Sequence, residues 1–275
     1  MTTLPTIAIL GAGSMGGAIL SGLTGPGIDV TGGIRVTNRT EAKAAPLRAA
    51  SVTSFALETD ADANVTAVTG ARVILIGIKP AMVVDLLHQI APSLAVDAIV
   101  VSVAAGVSIA TMEAALPDVA VLRAMPNTPA VVGRGVTGLS AGTRSSADDL
   151  ALVRAVFETV GEVLEIPEEK IDALSTISGS GPAYVFFLIE QLTRTARSLG
   201  FSADEAATMV NGTFLGASEI LVSTGEDPAE LRRRVTSPKG TTERAIAVLE
   251  AAGFEATFDS ATAAALARAR ELAAG

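Results

Sequence analysis

Cysteine is absent from the 275 residues, which excludes disulfide staples, thiolate zinc sites and a cysteine nucleophile. Histidine occurs once, at His88, in a segment read as helix with Asp85 nearby. That placement reads as a surface residue, not as the histidine that many dehydrogenases use to move a hydroxyl proton. One histidine and no cysteine also argue against zinc catalysis, so no metal is expected. Tryptophan is absent and aromatics make up 3% of the chain, so the apolar content is overwhelmingly aliphatic. Basic residues number 20 against 29 acidic ones, a net charge of −9, and they form no large block. Binding to nucleic acid or to an anionic membrane is therefore not expected. No basic segment precedes the first apolar run, so no signal peptide is expected. The apolar run 73–84 is broken by Lys79-Pro80 and is too short to span a bilayer. There is no low-complexity tract and no fixed-period repeat. A chain without cysteine fits a reducing compartment, and a cytoplasmic location is expected.

What is present begins almost at the first residue. Ile7, Ile9 and Leu10 lie in a short apolar run of strand character. Gly11, Gly13 and Gly16 follow at G-x-G-x-x-G spacing, and Ala18, Ile19 and Leu20 read as the start of a helix. Gly11 allows a tight turn out of the strand. Gly13 lets backbone N–H groups approach a pyrophosphate, and Gly16 lets helix and strand pack closely. The helix N-terminus then turns partial positive charge and free N–H donors toward the phosphates.

The end of the second strand bears on the choice of dinucleotide. The segment Ile34-Arg35-Val36-Thr37 reads as that strand. An NAD enzyme usually ends it in Asp or Glu, which holds the ribose 2′-OH. Here the residues are Asn38-Arg39-Thr40. Asn38 can donate hydrogen bonds, and the planar fork of Arg39 can grip a 2′-phosphate. NADPH is therefore the expected cofactor, with NADH possible. The plainer reading is an exposed arginine beside a helix cap.

Up to about residue 166, apolar strands alternate with amphipathic helices. The runs 72–78, 97–103 and 119–124 read as buried strands, and 162–166 as a final one. Helices are expected over 62–69, 81–90, 109–116 and 146–157. This alternation predicts an α/β domain with a mostly parallel, doubly wound sheet. Beyond Pro167 every segment reads as helix: 168–177, 182–199, 203–222, 228–235, 241–252 and 256–272. Ser202 and Glu205 have capping-box spacing, and Gly200 and Gly253 sit where helix C-caps belong. The run Arg232-Arg233-Arg234, beside Glu226, Asp227 and Glu230, reads as a solvated helix face. The expected organisation is a Rossmann-like domain over residues 1–166 and an all-helical domain over 167–275. The second domain is short and Ala-rich, and pairing with a second copy would cover its apolar faces.

Other segments could carry chemistry. In an open α/β sheet, ligands lie beyond the carboxyl ends of the strands. Lys79-Pro80, Val103-Ala104-Ala105-Gly106 and Met125-Pro126-Asn127-Thr128-Pro129 all stand at such ends. Lys79 could touch a cofactor, or be a surface lysine before a proline. The small residues at 103–106 would let a nicotinamide lie against backbone, and the two prolines near Asn127 stiffen that loop. Segments 178–184 and 236–242 each place serines, threonines and glycines ahead of a helix. Two such anion nests suggest a substrate that bears a carboxylate.

Taken together, these motifs resemble the pyrroline-5-carboxylate reductase family. They are Gly11-Ala12-Gly13-Ser14-Met15-Gly16, Lys79-Pro80, Ala104-Ala105-Gly106, Met125-Pro126-Asn127-Thr128, the segment 178–184 and Val235-Thr236-Ser237-Pro238. One departure is clear: Lys239-Gly240 stands where the family usually has Gly-Gly. If that first position needs a positive φ, Lys239 is strained. The resemblance implies a Rossmann domain and a helical domain that interlocks with a partner's, as a homodimer or larger homo-oligomer. It implies reduction of 1-pyrroline-5-carboxylate to L-proline by NAD(P)H. Cofactor contacts would come from Gly11, Ala12, Gly13, Ser14, Met15, Gly16, Asn38, Arg39, Asn64, Gly77, Ile78, Lys79, Pro80, Val103, Ala104 and Ala105. Substrate contacts would come from Ser180, Ser237, Gly240, Thr241 and Thr242, with Thr242 the catalytic residue.

The residue inventory agrees with that chemistry. A cyclic imine protonates near neutrality far more readily than a ketone, and a protonated imine accepts hydride without a strong general acid. Holding the ring against the nicotinamide supplies much of the acceleration. Two rival readings are a 3-hydroxyacid dehydrogenase on the same scaffold and a non-catalytic NADP-sensing module. The first needs a lysine on a core helix, and 168–177 offers only Lys170. The second has no need of a second anion nest.

Overall fold

The aliphatic runs fold as strands: β1 (Thr2–Leu4), β2 (Ile7–Leu10), β3 (Ile28–Val30), β4 (Ile34–Asn38), β5 (Val52–Ala56), β6 (Val73–Ile76), β7 (Ile99–Ser102), β8 (Ala120–Met125), β9 (Gly135–Ala141) and β10 (Gly161–Glu165). The computed structural model describes residues 1–274, so Gly275, the last residue of the expected second domain, lies outside the described residues. Eight strands make one sheet in the order β10-β9-β8-β7-β6-β2-β4-β5. Neighbours are parallel except β8 and β9, which are antiparallel. Every residue of β2, β6 and β7 is buried, as strands covered by helices on both faces must be. The two-residue period sends Ile7 and Ile9 to one face, where they pack with Ile19, Leu23 and Phe157. It sends Ala8 and Leu10 to the other, where they pack with Ile74, Ile76 and Leu87.

The sheet grows outward from β2 in both directions, to β4 and β5 on one side and to β6, β7 and β8 on the other. The order therefore reverses between β2 and β6. Leu10 lies opposite both Thr37 and Ile76, and Ile76 lies opposite Ser102. The chain thus leaves β2, β4, β6 and β7 at one level. Gly11, Asn38, Gly77 and Val103 line that edge, where a doubly wound sheet binds its ligand. This is the Rossmann-like fold the alternation predicts.

Four strands escape the sequence pattern. Strands β1 and β3 form a separate two-stranded parallel sheet, and β5 lies at the sheet edge with Thr53 exposed. Strand β9 carries Gly135 and Gly138, which depress its strand signal. A Cβ on Gly138 would stand 2.9 Å from Leu174 Cδ1, so this glycine admits the next helical segment close to the sheet.

After β10 the chain is helical: a short turn Glu168–Lys170, then Ile171–Leu174, a π-helical turn Ser175–Gly179, and the helices Gly181–Ser198, Ala203–Thr224, Pro228–Arg234, Thr241–Ala251 and Phe254–Ala274. Contacts group Met1–Ser180, with the residues from Leu266 on, as one compact unit and Gly181–Ala265 as another. Residues just beyond 167 stay with the sheet for two reasons. Ile171 and Leu174 pack over Gly138, and Arg123, 7% exposed, pairs with Glu168 at 3.2 Å and Asp172 at 2.8 Å.

The expected caps form. Ser202 Oγ accepts from Glu205 N, while Ser202 N donates back to Glu205 Oε2 at 2.8 Å. Gly200 and Gly253 take positive φ of 100° and 67°. The arginine run is solvated, with Arg232 paired to Glu250, Arg233 to Glu230 and Arg234 to Glu226. In the unit Gly181–Ala265 the buried apolar residues are Ala196, Ala206 and Val210, whereas Phe186, Phe187, Leu215 and Val248 are each 60% exposed or more. Among the described residues, no helix is long and apolar enough to cross a membrane.

Candidate active site

The glycine loop follows directly from the β2 edge. The N–H groups of Gly11 and Ala12 donate to the Thr37 carbonyl at 3.1 and 3.0 Å, which turns the chain out of the sheet. Gly11 has φ +88°, and a Cβ there would meet Ile78 Cγ2 at 2.7 Å. A Cβ on Gly16 would stand 2.8 Å from the Gly11 carbonyl oxygen, so the close packing read from the sequence is present. Gly13 differs: it is exposed, and nothing lies within 4 Å of a Cβ built on it. It caps the helix Ser14–Leu23 with no side-chain hydrogen bond. The first-turn N–H groups of that helix therefore face open space and can take an anion.

Beside this loop, Asn38 is 5% exposed and its Nδ2 has no hydrogen-bond partner. A buried amide without a partner is costly, and a ligand oxygen would relieve it. Arg39 is exposed and makes no ion pair among the described residues. Asn64, 8% exposed, accepts from Thr37 Oγ1 at 2.8 Å, and Thr37 Oγ1 in turn accepts from Gly11 N at 3.3 Å. Asn64 thus braces the glycine loop through Thr37.

Across the switch point, Gly77 N donates to the Leu10 carbonyl at 2.8 Å, and a Cβ on Gly77 would lie 2.8 Å from the Gly11 carbonyl oxygen. Ile78 is half-buried, while Lys79 and Pro80 are exposed at the start of a short helical turn. Val103 N donates to the Ile76 carbonyl at 3.1 Å, and Ser102 Oγ accepts from Ala104 N at 3.1 Å. Ala105 is exposed beyond them.

The Met125–Pro129 loop holds a residue that the sequence reading did not place in the site. Asn127, 7% exposed, accepts from Val136 N through Oδ1 at 2.7 Å and donates from Nδ2 to the Ser178 carbonyl at 2.8 Å. Its two-proline setting was the available signal. The segment 178–184 opens the long helix Gly181–Ser198, as expected, and the π turn Ser175–Gly179 runs directly into it. Ser180 N is spent on the Ser175 carbonyl at 2.9 Å, so Ser180 has its hydroxyl to offer and not its amide.

The second segment also stands at a helix start. Gly240 caps Thr241–Ala251 without a side-chain hydrogen bond, and Thr241 and Thr242 are exposed in its first turn beside Ser237. Lys239 has φ +61°, the strain anticipated for a non-glycine residue at that position. These residues belong to the unit Gly181–Ala265, and the nucleotide edge belongs to Met1–Ser180. His88 is exposed, as expected, and so is Lys170. Among the described residues, no group of three acidic or histidine side chains could hold a metal.

A family model described as pyrroline-5-carboxylate reductase dimerisation matches residues 168–272. Another, described as NADP oxidoreductase, coenzyme F420-dependent, matches residues 6–106. The pyrroline-5-carboxylate reductase of Pseudomonas aeruginosa is 39% identical over 271 residues, which is 98% of this chain and 97% of that one. The solved structure of a pyrroline-5-carboxylate reductase from Coxiella burnetii matches with a TM-score of 0.87 at 33% identity, covering 97% of each chain. That of a Plasmodium falciparum pyrroline carboxylate reductase with NADP bound matches at 0.81 over 98% of each chain, and its 24% identity bears on the fold alone.

Proposed function

This chain belongs to the pyrroline-5-carboxylate reductase family, and from that premise we propose how its own residues carry the reaction. The enzyme reduces 1-pyrroline-5-carboxylate to L-proline with NAD(P)H. We infer that residues 1–166 serve as the nucleotide domain and that the helical residues after Pro167, of which 168–180 pack with the sheet unit, serve substrate and assembly.

The observation that carries the cofactor assignment is the partnerless Nδ2 of buried Asn38, set beside unpaired Arg39. Together they suit the ribose and 2′-phosphate of NADPH. The free first-turn amides after Gly13 suit the pyrophosphate, and the open space at Gly13 admits it. Residues 77–80 and 103–105 flank the dinucleotide across the switch point. Bound there, the nicotinamide supplies the hydride that reduces the C=N carbon.

The substrate needs three things from the chain: a seat for its carboxylate, a partner for its ring nitrogen and a fixed orientation. The first-turn amides of the helix Thr241–Ala251 take the carboxylate. The iminium N–H donates to the Thr242 hydroxyl oxygen, and Ser237, Gly240 and Thr241 shape the surroundings. No strong acid is required, which fits exposed His88 and exposed Lys170. The absence of a buried lysine among the described residues also weighs against the hydroxyacid reading. Cofactor oxidation measured with pyrroline-5-carboxylate, with a hydroxyacid panel and with no substrate tests the assignment. Turnover confined to a hydroxyacid would reverse it.

The chain assembles as a homo-oligomer. We propose that its basic unit is a dimer formed through the helices after Pro167, which would cover Phe186, Phe187, Leu215 and Val248. We also place the reaction in the cytoplasm, in keeping with a chain that contains no cysteine.

A further inference from the structure

The loop 237–240 is the strained part of the substrate-side segment. Among the described residues, Lys239 is the one non-glycine residue with positive φ, at +61°. A side chain in that region pays a steric penalty that glycine avoids. The next position has the opposite requirement. Gly240 has φ −79°, but a Cβ there would lie 2.9 Å from the Ser237 carbonyl oxygen. So glycine is needed at 240 for space, whereas the residue at 239 is under conformational strain.

One side chain offsets that strain. Lys239 N donates to Glu243 Oε2 at 2.9 Å, a charge-assisted bond from the third residue of the helix back to the residue before its cap. Gly240 N donates to the Ser237 carbonyl at 3.0 Å and closes the same turn. Glu243 thereby places a negative charge at the helix start to which a substrate carboxylate is assigned. That charge opposes substrate binding, so its role must be sought in the backbone it holds.

We propose that Glu243 is a positioning residue: its carboxylate latches the strained Lys239 backbone and so fixes the loop that presents Thr241 and Thr242. The role rests on the proposed substrate loop. It requires an acceptor oxygen and no charge. It also becomes dispensable once residue 239 adopts its conformation without strain.

The test uses the full chain as Glu243→Ala, Glu243→Gln and the double variant Lys239→Gly/Glu243→Ala, with two readouts. Steady-state kinetics should show kcat/KM for pyrroline-5-carboxylate lowered about fivefold to thirtyfold in Glu243→Ala, the weight of the unmet left-handed penalty, with the KM for NADPH unchanged. Glu243→Gln and the double variant, which also lack the charge that opposes the substrate carboxylate, should both return to wild type or above. The second readout is cleavage after Lys239 by a lysine-specific protease, which should be faster in Glu243→Ala than in wild type or Glu243→Gln. Unchanged cleavage with unchanged kinetics would overturn the latch. Faster cleavage with unchanged kinetics would show a latched loop that does not serve the substrate, and the substrate-loop reading would fall with the positioning role. A double variant as impaired as Glu243→Ala would also overturn the proposal, because strain would not then be what Glu243 offsets.

Discussion

Asn127 Nδ2 donates to the Ser178 carbonyl oxygen at 2.8 Å. Four residues further on, Pro182 has no N–H with which a regular helix would satisfy that carbonyl. The same amide's Oδ1 accepts from Val136 N at 2.7 Å. One buried side chain therefore ties the loop after β8, the start of β9 and the π turn together.

Asn127→Ala should leave two backbone groups without a partner and cost roughly 1–3 kcal/mol for each, read as a lower urea midpoint. Asn127→Asp keeps the acceptor but loses the donor to Ser178, so it should also be destabilised. Midpoints equal to wild type in both variants would refute the role.

Arg39 should set the preference for NADPH. Arg39→Ala should weaken NADPH far more than NADH, because a charge-assisted contact contributes roughly 1.5–3 kcal/mol. Michaelis constants for the two cofactors provide the check, and equal losses would remove Arg39 from the 2′-phosphate site.

Thr242→Ala should keep the helix, since Ala is a good helix former, and should keep NADPH binding. Turnover should fall about tenfold to a thousandfold, the range for loss of one positioned hydrogen bond. Thr242→Ser retains the hydroxyl and should recover most of it. Wild-type turnover and substrate affinity in Thr242→Ala would leave the ring nitrogen without this partner.

Asp149 ties the helix Ala147–Glu158 to the sheet through Arg72 at 2.6 Å. Burial pushes its carboxyl upward, but hydrogen bonds from Arg72 and from the Ser146 backbone and hydroxyl outweigh burial and hold it below the ordinary range. A carboxyl depressed in the folded state contributes stability above its unfolded value, about 3.9, and loses it as pH falls through the folded value. Melting temperatures should therefore fall more steeply below about pH 4 in wild type than in Asp149→Asn. Parallel acid limbs would show that Asp149 does not contribute in this way.

The alternation of strand and helix, the glycine spacing and the capping signals were legible in the sequence because each is a local or periodic property. The apolar runs around Ile7, Ile74 and Val100 could hardly be anything but strands buried on both faces. The strain at Lys239 was also foreseeable, since it depends on one residue type at one backbone position.

Other features were decided only by tertiary structure. Strand β9 is weak by propensity and exists because β8 and β10 pair with it and Leu174 needs the space at Gly138. The segment 178–184 reads as a helix start and is one, but only the fold shows that a π turn precedes it and that the amide of Ser180 is spent on Ser175. The clamp by Asn127 and the latch by Glu243 depend on which carbonyl or amide the fold leaves without a partner. A linear pattern names the residues able to form such bonds, and only packing shows which backbone groups are left to receive them.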